Sequence, residues 1–329
     1  MRALITGGAG FIGVHLARRL VAEGLEVDLV DDFSRGRRDA DLTALTESRG
    51  VSCIGRDLLQ PGSLDELPND YGLIFHLAAI VGVANVTAQP FAVLRRNLEL
   101  FFAVLDFAQR QRRLGRLVFA STSEVYAGTA GHLELPLPTP EDVPIALPDL
   151  AGPRASYLLS KLYGEALCHH AELPATVIRP HNVYGPRMGM AHVIPELFER
   201  ALRTPEGGRV TVYSPGHRRA FCHVADAVEL IARLAQAEAA EGGVFNVGNG
   251  DEEIAIGDLA ERIVAIAGRR VALEAGRETP GSPRRRCPDM TRTQSVTGFR
   301  PRVGLDQGLR ETWAWYRDQL LEADEAKAS

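Results

Sequence analysis

The sequence predicts an α/β protein: a doubly wound parallel sheet with a smaller C-terminal α/β portion. Three observations carry this expectation. Short apolar runs alternate with helix-spaced runs along the first 180 residues, a glycine-rich turn joins the first such pair, and the strand ends carry acidic or polar residues. Ala3–Thr6 is an apolar run that stops at Gly7-Gly8-Ala9-Gly10-Phe11-Ile12-Gly13, and His15–Val21 then repeats its apolar positions at helical spacing, giving strand, turn and helix. Glu26–Val30, closing in Asp31-Asp32, is the second strand; Val51–Ile54, leading to Arg56-Asp57-Leu58, the third; Leu73–His76 the fourth. Leu98–Ala108 reads as a helix, Arg116–Ala120 as the fifth strand, Ser156–Ala171 as a helix and Ala175–Arg179 as the sixth strand. Strands separated by helices imply right-handed crossovers and hence a parallel sheet. The stretch from Gly128 to Pro153 is rich in proline and glycine and reads as a loop over a site.

Beyond Pro180 the alternation is less regular. Ile194–Leu202, Val224–Ala239 and Ile256–Ala267 read as helical, Arg209–Tyr213 and Val244–Val247 as extended, and Glu322–Ser329 as a frayed tail. The expected organisation is a first domain over residues 1–180, to which segments near 220–247 return, and a second over 181–329.

Composition narrows the function classes. The 329 residues are 45% hydrophobic and 24% charged, as in an ordinary globular enzyme, and the longest apolar stretches fall short of the roughly 20 residues a bilayer requires. Lys and Arg total 37 against 42 Asp and Glu, a net charge of −5, which argues against a nucleic-acid binder or other polyanion partner. Cys53, Cys168, Cys222 and Cys287 are widely spaced without a C-x-x-C, so neither a disulfide framework nor a metal site is expected, and a reducing cytoplasm fits. No signal peptide is evident at Met1–Ile5.

Gly8, Gly10 and Gly13 satisfy G-x-G-x-x-G, and Gly7, Gly10 and Gly13 the related G-x-x-G-x-x-G, between a strand and a helix. Glycine lets backbone N–H groups approach a pyrophosphate, and the helix N-terminus adds partial positive charge. Asp31 and Asp32 end the second strand about where a ribose hydroxyl would lie, which favours NAD; Arg35, Arg37 and Arg38 follow closely and leave a 2′-phosphate site open. Tyr157 and Lys161 stand four apart on one helical face, and a tyrosine becomes a base near neutral pH when cations stabilise its phenolate. Ser121-Thr122-Ser123-Glu124 presents hydroxyls and a carboxylate at the end of the fifth strand, where open α/β sheets bind ligands.

Thr6-Gly7-Gly8-Ala9-Gly10-Phe11-Ile12-Gly13, Asp57-Leu58, His76-Leu77-Ala78-Ala79, Tyr157 with Lys161, and Asn182-Val183-Tyr184-Gly185-Pro186-Arg187 together resemble the extended short-chain dehydrogenase/reductase family acting on nucleotide sugars, from residue 1 to about 316. The resemblance implies a Rossmann-type fold, NAD as cofactor, a nucleotide-diphosphate sugar as substrate and a homodimer paired through Leu98–Ala108 and Tyr157–Ala171. It implies that Asp57 and Leu58 lie by the adenine, that Leu77, Ala78 and Ala79 run along the diphosphate and nicotinamide ribose, and that Phe11, Ile12 and Pro180 join the cofactor contacts. Thr122 matches the family's hydroxyl on the sugar, Tyr157 its base and Lys161 its ribose lysine; Asn182, Arg187, Val193, Tyr213, Arg219 and Arg286 are the implied substrate contacts.

By the same resemblance the first step is oxidation at sugar C4. Glu124 matches the glutamate of dehydratases and of UDP-glucuronate decarboxylases, so decarboxylation or dehydration is favoured, with 4-epimerisation as the alternative, since that needs only Thr122, Tyr157 and Lys161. A non-catalytic cofactor-binding sensor and a net carbonyl reductase are the remaining readings. Ala127 stands where the family has glycine, and His181 and His192 stand where it has other residues.

Overall fold

The structure is a computed structural model and describes residues 1–279 and 282–328. Its elements in chain order are β1 Arg2–Thr6, α1 Phe11–Ala22, β2 Glu26–Asp31, α2 Ala40–Thr46, β3 Val51–Gly55, β4 Leu73–His76, α3 Val83–Ala88, α4 Pro90–Gln109, β5 Arg116–Ala120, a 3₁₀ turn Ser123–Tyr126 and α5 Ala127–His132. There follow α6 Arg154–His170, β6 Ala175–Pro180, β7 Val183–Tyr184, α7 Val193–Arg203, β8 Arg209–Val212, β9 Arg218–Ala220, β10 Cys222–His223, α8 Val224–Gln236 and β11 Val244–Val247. The chain closes with β12 Glu253–Ala255, α9 Ile256–Ile266, β13 Ala272–Ala275, β14 Arg285–Arg286, α10 Thr291–Thr297 and α11 Leu305–Ala328.

Seven parallel strands form the main sheet in the order β11-β6-β5-β4-β1-β2-β3. β1 and β4, at its centre, are almost wholly apolar because both faces are covered. One face packs on α1 and α8 around Val14, Leu16, Leu20, Ala227 and Ile231; the other packs on α4 and α6 around Phe101, Val104, Leu105 and Cys168. The order reverses between β1 and β4, so the ends of those strands open a crevice at the switch point. A third core, with Phe198, Val210, Leu259 and Leu309, belongs to the C-terminal elements.

The segment 244–247 returns to the main sheet beside β6, although it follows β7–β10 in sequence. α4 starts at Pro90, eight residues before the apolar pattern suggested, because Pro90 supplies the first helical position and the intervening Arg95 and Arg96 face outward. The stretch from residue 128 opens with α5 before it becomes irregular. It is tied down by backbone pairing: Thr139 bridges Pro288, its N–H donating to Cys287 O at 2.8 Å and its carbonyl accepting from Asp289 N at 2.9 Å. α11 continues to Ala328 through the stretch expected to fray; Ser329 lies outside the described residues.

Candidate active site

The glycine turn is built for a close approach. Gly7 has φ +68°, and a Cβ there would sit 2.8 Å from Ala78 N, so a side chain would be both strained and obstructed. Gly10 N donates to Gly7 O at 3.1 Å, Gly13 is buried in α1, and Phe11 and Ile12 begin that helix, whose first turn carries no acidic residue. An anion at this N-terminus therefore meets no competing carboxylate from the helix itself.

Of the acid pair, Asp31 faces the turn: buried, it accepts from Ala9 N at 3.0 Å and Phe33 N at 2.8 Å, and burial raises its pKa above the ordinary value. Asp32 is exposed and turned onto Ser34, accepting from its N–H at 2.9 Å and its hydroxyl at 2.7 Å, because the chain leaves the sheet between the two residues. Asp57 accepts from Leu59 N at 2.9 Å, and Leu58 beside it is buried. Leu77, Ala78 and Ala79 continue from β4, half-buried, with Leu77 N bonded to Thr6 O at 3.1 Å. Pro180 ends β6 opposite Val247.

Arg187, expected at the substrate, lies instead behind the glycine turn. It donates to both oxygens of Asp39, at 2.8 and 2.9 Å, and to Ala9 O and Gly10 O at 3.3 and 3.2 Å. A trans peptide points its C=O and N–H in opposite directions, so taking the Gly10 carbonyl turns the Phe11 N–H away from Arg187. Arg187 thus braces the turn.

The strand-end hydroxyls and the Tyr-Lys pair do come together. Thr122 caps the 3₁₀ turn, accepting from Glu124 N at 3.2 Å, and shares a hydrogen bond with the Tyr157 hydroxyl. Burial pushes Tyr157 up to about 12, with the Thr122 bond opposing that rise. Lys161 is buried, donates to Ala120 O at 2.8 Å and stands 5.9 Å from the Tyr157 ring centroid; desolvation lowers it to about 8. Glu124 forms an ion pair with Arg286, Oε1 to Nη2 2.8 Å. Arg219 is nine-tenths buried, donating to Ser282 Oγ at 2.8 Å and Pro283 O at 2.7 Å, and burial followed by the charge of Arg286 lowers it to about 10. Asn182 donates to Ala220 O at 2.9 Å, holding β6 to the second lobe. Val193 begins α7 half-buried, and Tyr213 is 44% exposed with the Arg200 guanidinium 5.0 Å from its ring. A concavity of about 670 Å³ between residues 58–65 and α4 has none of the catalytic candidates in its wall.

Ala127 needs no glycine: it adopts φ −65°, ψ −36°, and the crowded position is Gly128, where a Cβ would lie 1.9 Å from Ala146 O. Several supporting residues were not singled out from the sequence. Asn97, on the buried face of α4, accepts from Ile80 N at 2.7 Å and donates to Ser160 Oγ at 3.2 Å, joining the cofactor loop to α6. Arg179 pairs with Glu165 through two bonds, at 2.9 and 2.7 Å, and Ser121 donates to the same carboxylate. The signal was there: an arginine inside an apolar strand and an asparagine inside an apolar helix face must find partners when buried.

A parallel sheet with this strand order, a dinucleotide-type glycine turn and a Tyr-Lys helix beside the strand-end hydroxyls defines an NAD-dependent Rossmann enzyme of the dehydrogenase/reductase kind. Residues 3–248 match the model of the NAD dependent epimerase/dehydratase family, and the chain belongs to that family. It is 34% identical to the UDP-N-acetyl-alpha-D-glucosaminuronate decarboxylase of Bacillus cytotoxicus, covering 96% of this chain and 98% of that one. It is 31% identical to UDP-glucuronic acid decarboxylase 1 of Xenopus tropicalis, covering 97% and 73%. Among solved structures, the UDP-glucuronic acid 4-epimerase of Bacillus cereus, in complex with UDP-glucuronic acid and NAD, superposes with a TM-score of 0.84 at 25% identity over 97% of this chain and 100% of that one. The dTDP-glucose 4,6-dehydratase of Streptomyces venezuelae, with NAD bound, gives 0.83 at 25% identity and 97% coverage of both.

Proposed function

We propose that the protein decarboxylates a nucleotide-diphosphate hexuronate through a transient 4-ketone. The observation that carries this reading is the Glu124–Arg286 pair set beside the Thr122–Tyr157 hydroxyls: it adds an acid/base and a guanidinium, neither of which plain epimerisation needs. The names of the relatives at 34% and 31% identity support it.

NAD, when bound, supplies a reversible acceptor for the hydride on sugar C4. Tyr157 removes the C4 hydroxyl proton while Thr122 holds that oxygen, and the Lys161 ammonium, anchored on Ala120 O, is the nearby cation that favours the phenolate. Once C4 is a ketone, the sugar carboxylate is β to it. The C5–C6 bond then breaks, CO₂ leaves, and the bonding pair moves into a C4–C5 enolate whose oxygen the Thr122 and Tyr157 hydroxyls stabilise. Arg286 receives the carboxylate. Glu124, ionised in its pair with Arg286, takes up a proton from solvent and passes it to C5. The hydride then returns to C4 while Tyr157 gives back the proton it took, which regenerates the C4 hydroxyl. Asn182, Val193, Tyr213 and Arg219 form the nucleotide end in this reading, with Arg219 as a buried cation for the diphosphate. Phe11, Ile12, Asp31, Asp57, Leu58, Leu77, Ala78, Ala79 and Pro180 are the proposed cofactor contacts.

Residues 1–180 with the segments near 220–247 are the proposed cofactor domain, and the rest of 181–329 the sugar-nucleotide domain. Two copies are proposed to pair through α4 and α6, which contact one another and expose Phe91, Phe102 and Tyr163. No described helix is long and apolar enough to cross a membrane; four free thiols fit the cytoplasm.

Mass spectrometry of products from a panel of nucleotide sugars tests the reaction: loss of CO₂ from a hexuronate supports it, whereas loss of water or an unchanged mass with inverted C4 reassigns the site as a dehydratase or 4-epimerase.

A further inference from the structure

His181 stands at the end of β6 with its ring buried, 1% exposed. Its Nε2 lies 2.9 Å from Asn246 Oδ1, and the surroundings decide which atom carries the proton. Asn246 Nδ2 lies 3.0 and 3.1 Å from the carbonyl oxygens of Thr139 and Asp289, and two acceptors can be met only by the amide NH₂. The atom facing His181 is therefore the amide oxygen. That oxygen also accepts the Tyr126 hydroxyl at 2.9 Å, which in turn accepts from Arg179 Nη1 at 2.9 Å. Nε2 must carry the hydrogen, and Nδ1 is left as a bare lone pair. Nδ1 is buried and has no hydrogen-bond partner.

The ring lines a cavity of about 20 Å³ together with Ser123, Tyr126, Leu135, Pro283 and Arg286. Ser123 sits between Thr122 and Glu124, and Arg286 is the partner of Glu124, so this cavity adjoins the place assigned to the sugar. Its volume suits one hydroxyl- or amide-sized group. Burial, with Arg286 and Arg179 nearby, holds the ring neutral by lowering its pKa to about 3, so it neither gives nor takes a proton at neutral pH.

We propose that His181 is a specificity residue of the sugar subsite, its Nδ1 accepting a hydrogen bond from a neutral donor on the sugar, either a hydroxyl or the N–H of an acylamino substituent. This rests on the nucleotide-sugar reading above but not on which reaction follows oxidation.

The test is calorimetry on the NAD-loaded protein with UDP, UDP-glucuronate and UDP-N-acetylglucosaminuronate, comparing His181→Gln with His181→Asn. Glutamine places its amide near Nε2 and keeps the Asn246 bond; asparagine places its oxygen near Nδ1 and keeps the acceptor. Losing one neutral hydrogen bond weakens binding by about 10-fold. H181Q is expected to weaken one or both sugar nucleotides by that factor and leave UDP unchanged, with H181N nearer the wild type; whichever sugar suffers more identifies the donor. Equal losses for UDP and its sugars, or the reverse order of the two variants, overturn the proposal. On ¹⁵N-histidine-labelled wild type, the Nδ1 resonance should move with the sugar nucleotide and not with UDP; an unmoved resonance overturns it as well. Product masses, read separately, show whether the decarboxylase reading fails while this one stands.

Discussion

Glu124 and Arg286 meet at 2.8 Å, although one belongs to the turn after the fifth strand and the other to a short strand near the C-terminus. In the proposed reaction the pair supplies the acid/base and the carboxylate receptor in one contact. Because Arg286 neutralises it, Glu124 can stand beside a uronate without repelling it. Glu124→Gln is expected to lower CO₂ release by at least about 100-fold while sugar-nucleotide binding stays within a few-fold. The check is product mass against calorimetry on one preparation; unchanged CO₂ release would take the acid/base role from Glu124.

Tyr157 and Thr122 share a hydrogen bond at the position assigned to the C4 hydroxyl. Tyr157→Phe removes the proton acceptor but preserves the ring, and turnover should fall by about 10²–10⁴-fold. Cofactor content after purification, read from absorbance, should stay at the wild-type level.

Arg187 is 2% exposed in its side chain, and its partner Asp39 22%. Arg187→Met leaves Asp39 partly buried without its cation and frees the carbonyls of Ala9 and Gly10, so it is expected to cost about 3–5 kcal/mol of stability and to weaken NAD retention. Denaturant unfolding and cofactor titration check this. If the melt drops but NAD affinity holds, the brace is not coupled to the turn.

His76 and His181 are both buried, and desolvation takes each from the ordinary 6.5 to about 3. The folded protein holds them neutral while the unfolded chain protonates them below pH 6.5, so the unfolded state binds more protons between pH 6.5 and 3 and stability rises with pH across that window. Their contribution is fully present above pH 6.5 and is lost as the pH falls toward 3. At pH 5 each histidine is expected to cost about 2 kcal/mol. Unfolding free energies at pH 7 and pH 5 should show the drop, and His76→Phe should remove one histidine's share of it.

Much of the cofactor half was legible in sequence because its signals are local. A glycine turn between a strand and a helix, an acid at a strand end and a Tyr-Lys spacing of four each depend on a few neighbouring residues and on backbone geometry. The second lobe was harder: β9, β12 and β14 are two or three residues long, too short for periodicity to register, and they exist because they pair with one another. The expected edges of α4 and of the loop from Gly128 moved as well, one set by Pro90 and the other by α5, which takes up the first residues of the loop.

The sequence by itself determined the doubly wound sheet and the family, and it named the residues proposed to carry oxidation at C4. Tertiary structure decided which arginine does what. Arg187 and Arg286 look alike in sequence, each in a basic or turn-like segment, yet one closes on Asp39 behind the glycine turn and the other on Glu124 in the site. It also decided that His181 keeps a bare Nδ1, because the proton's position follows from Asn246, whose own orientation follows from Thr139 and Asp289. Partner choice among charged and polar groups is set by burial and by neighbours from distant segments, and neither is written in the spacing of residues along the chain.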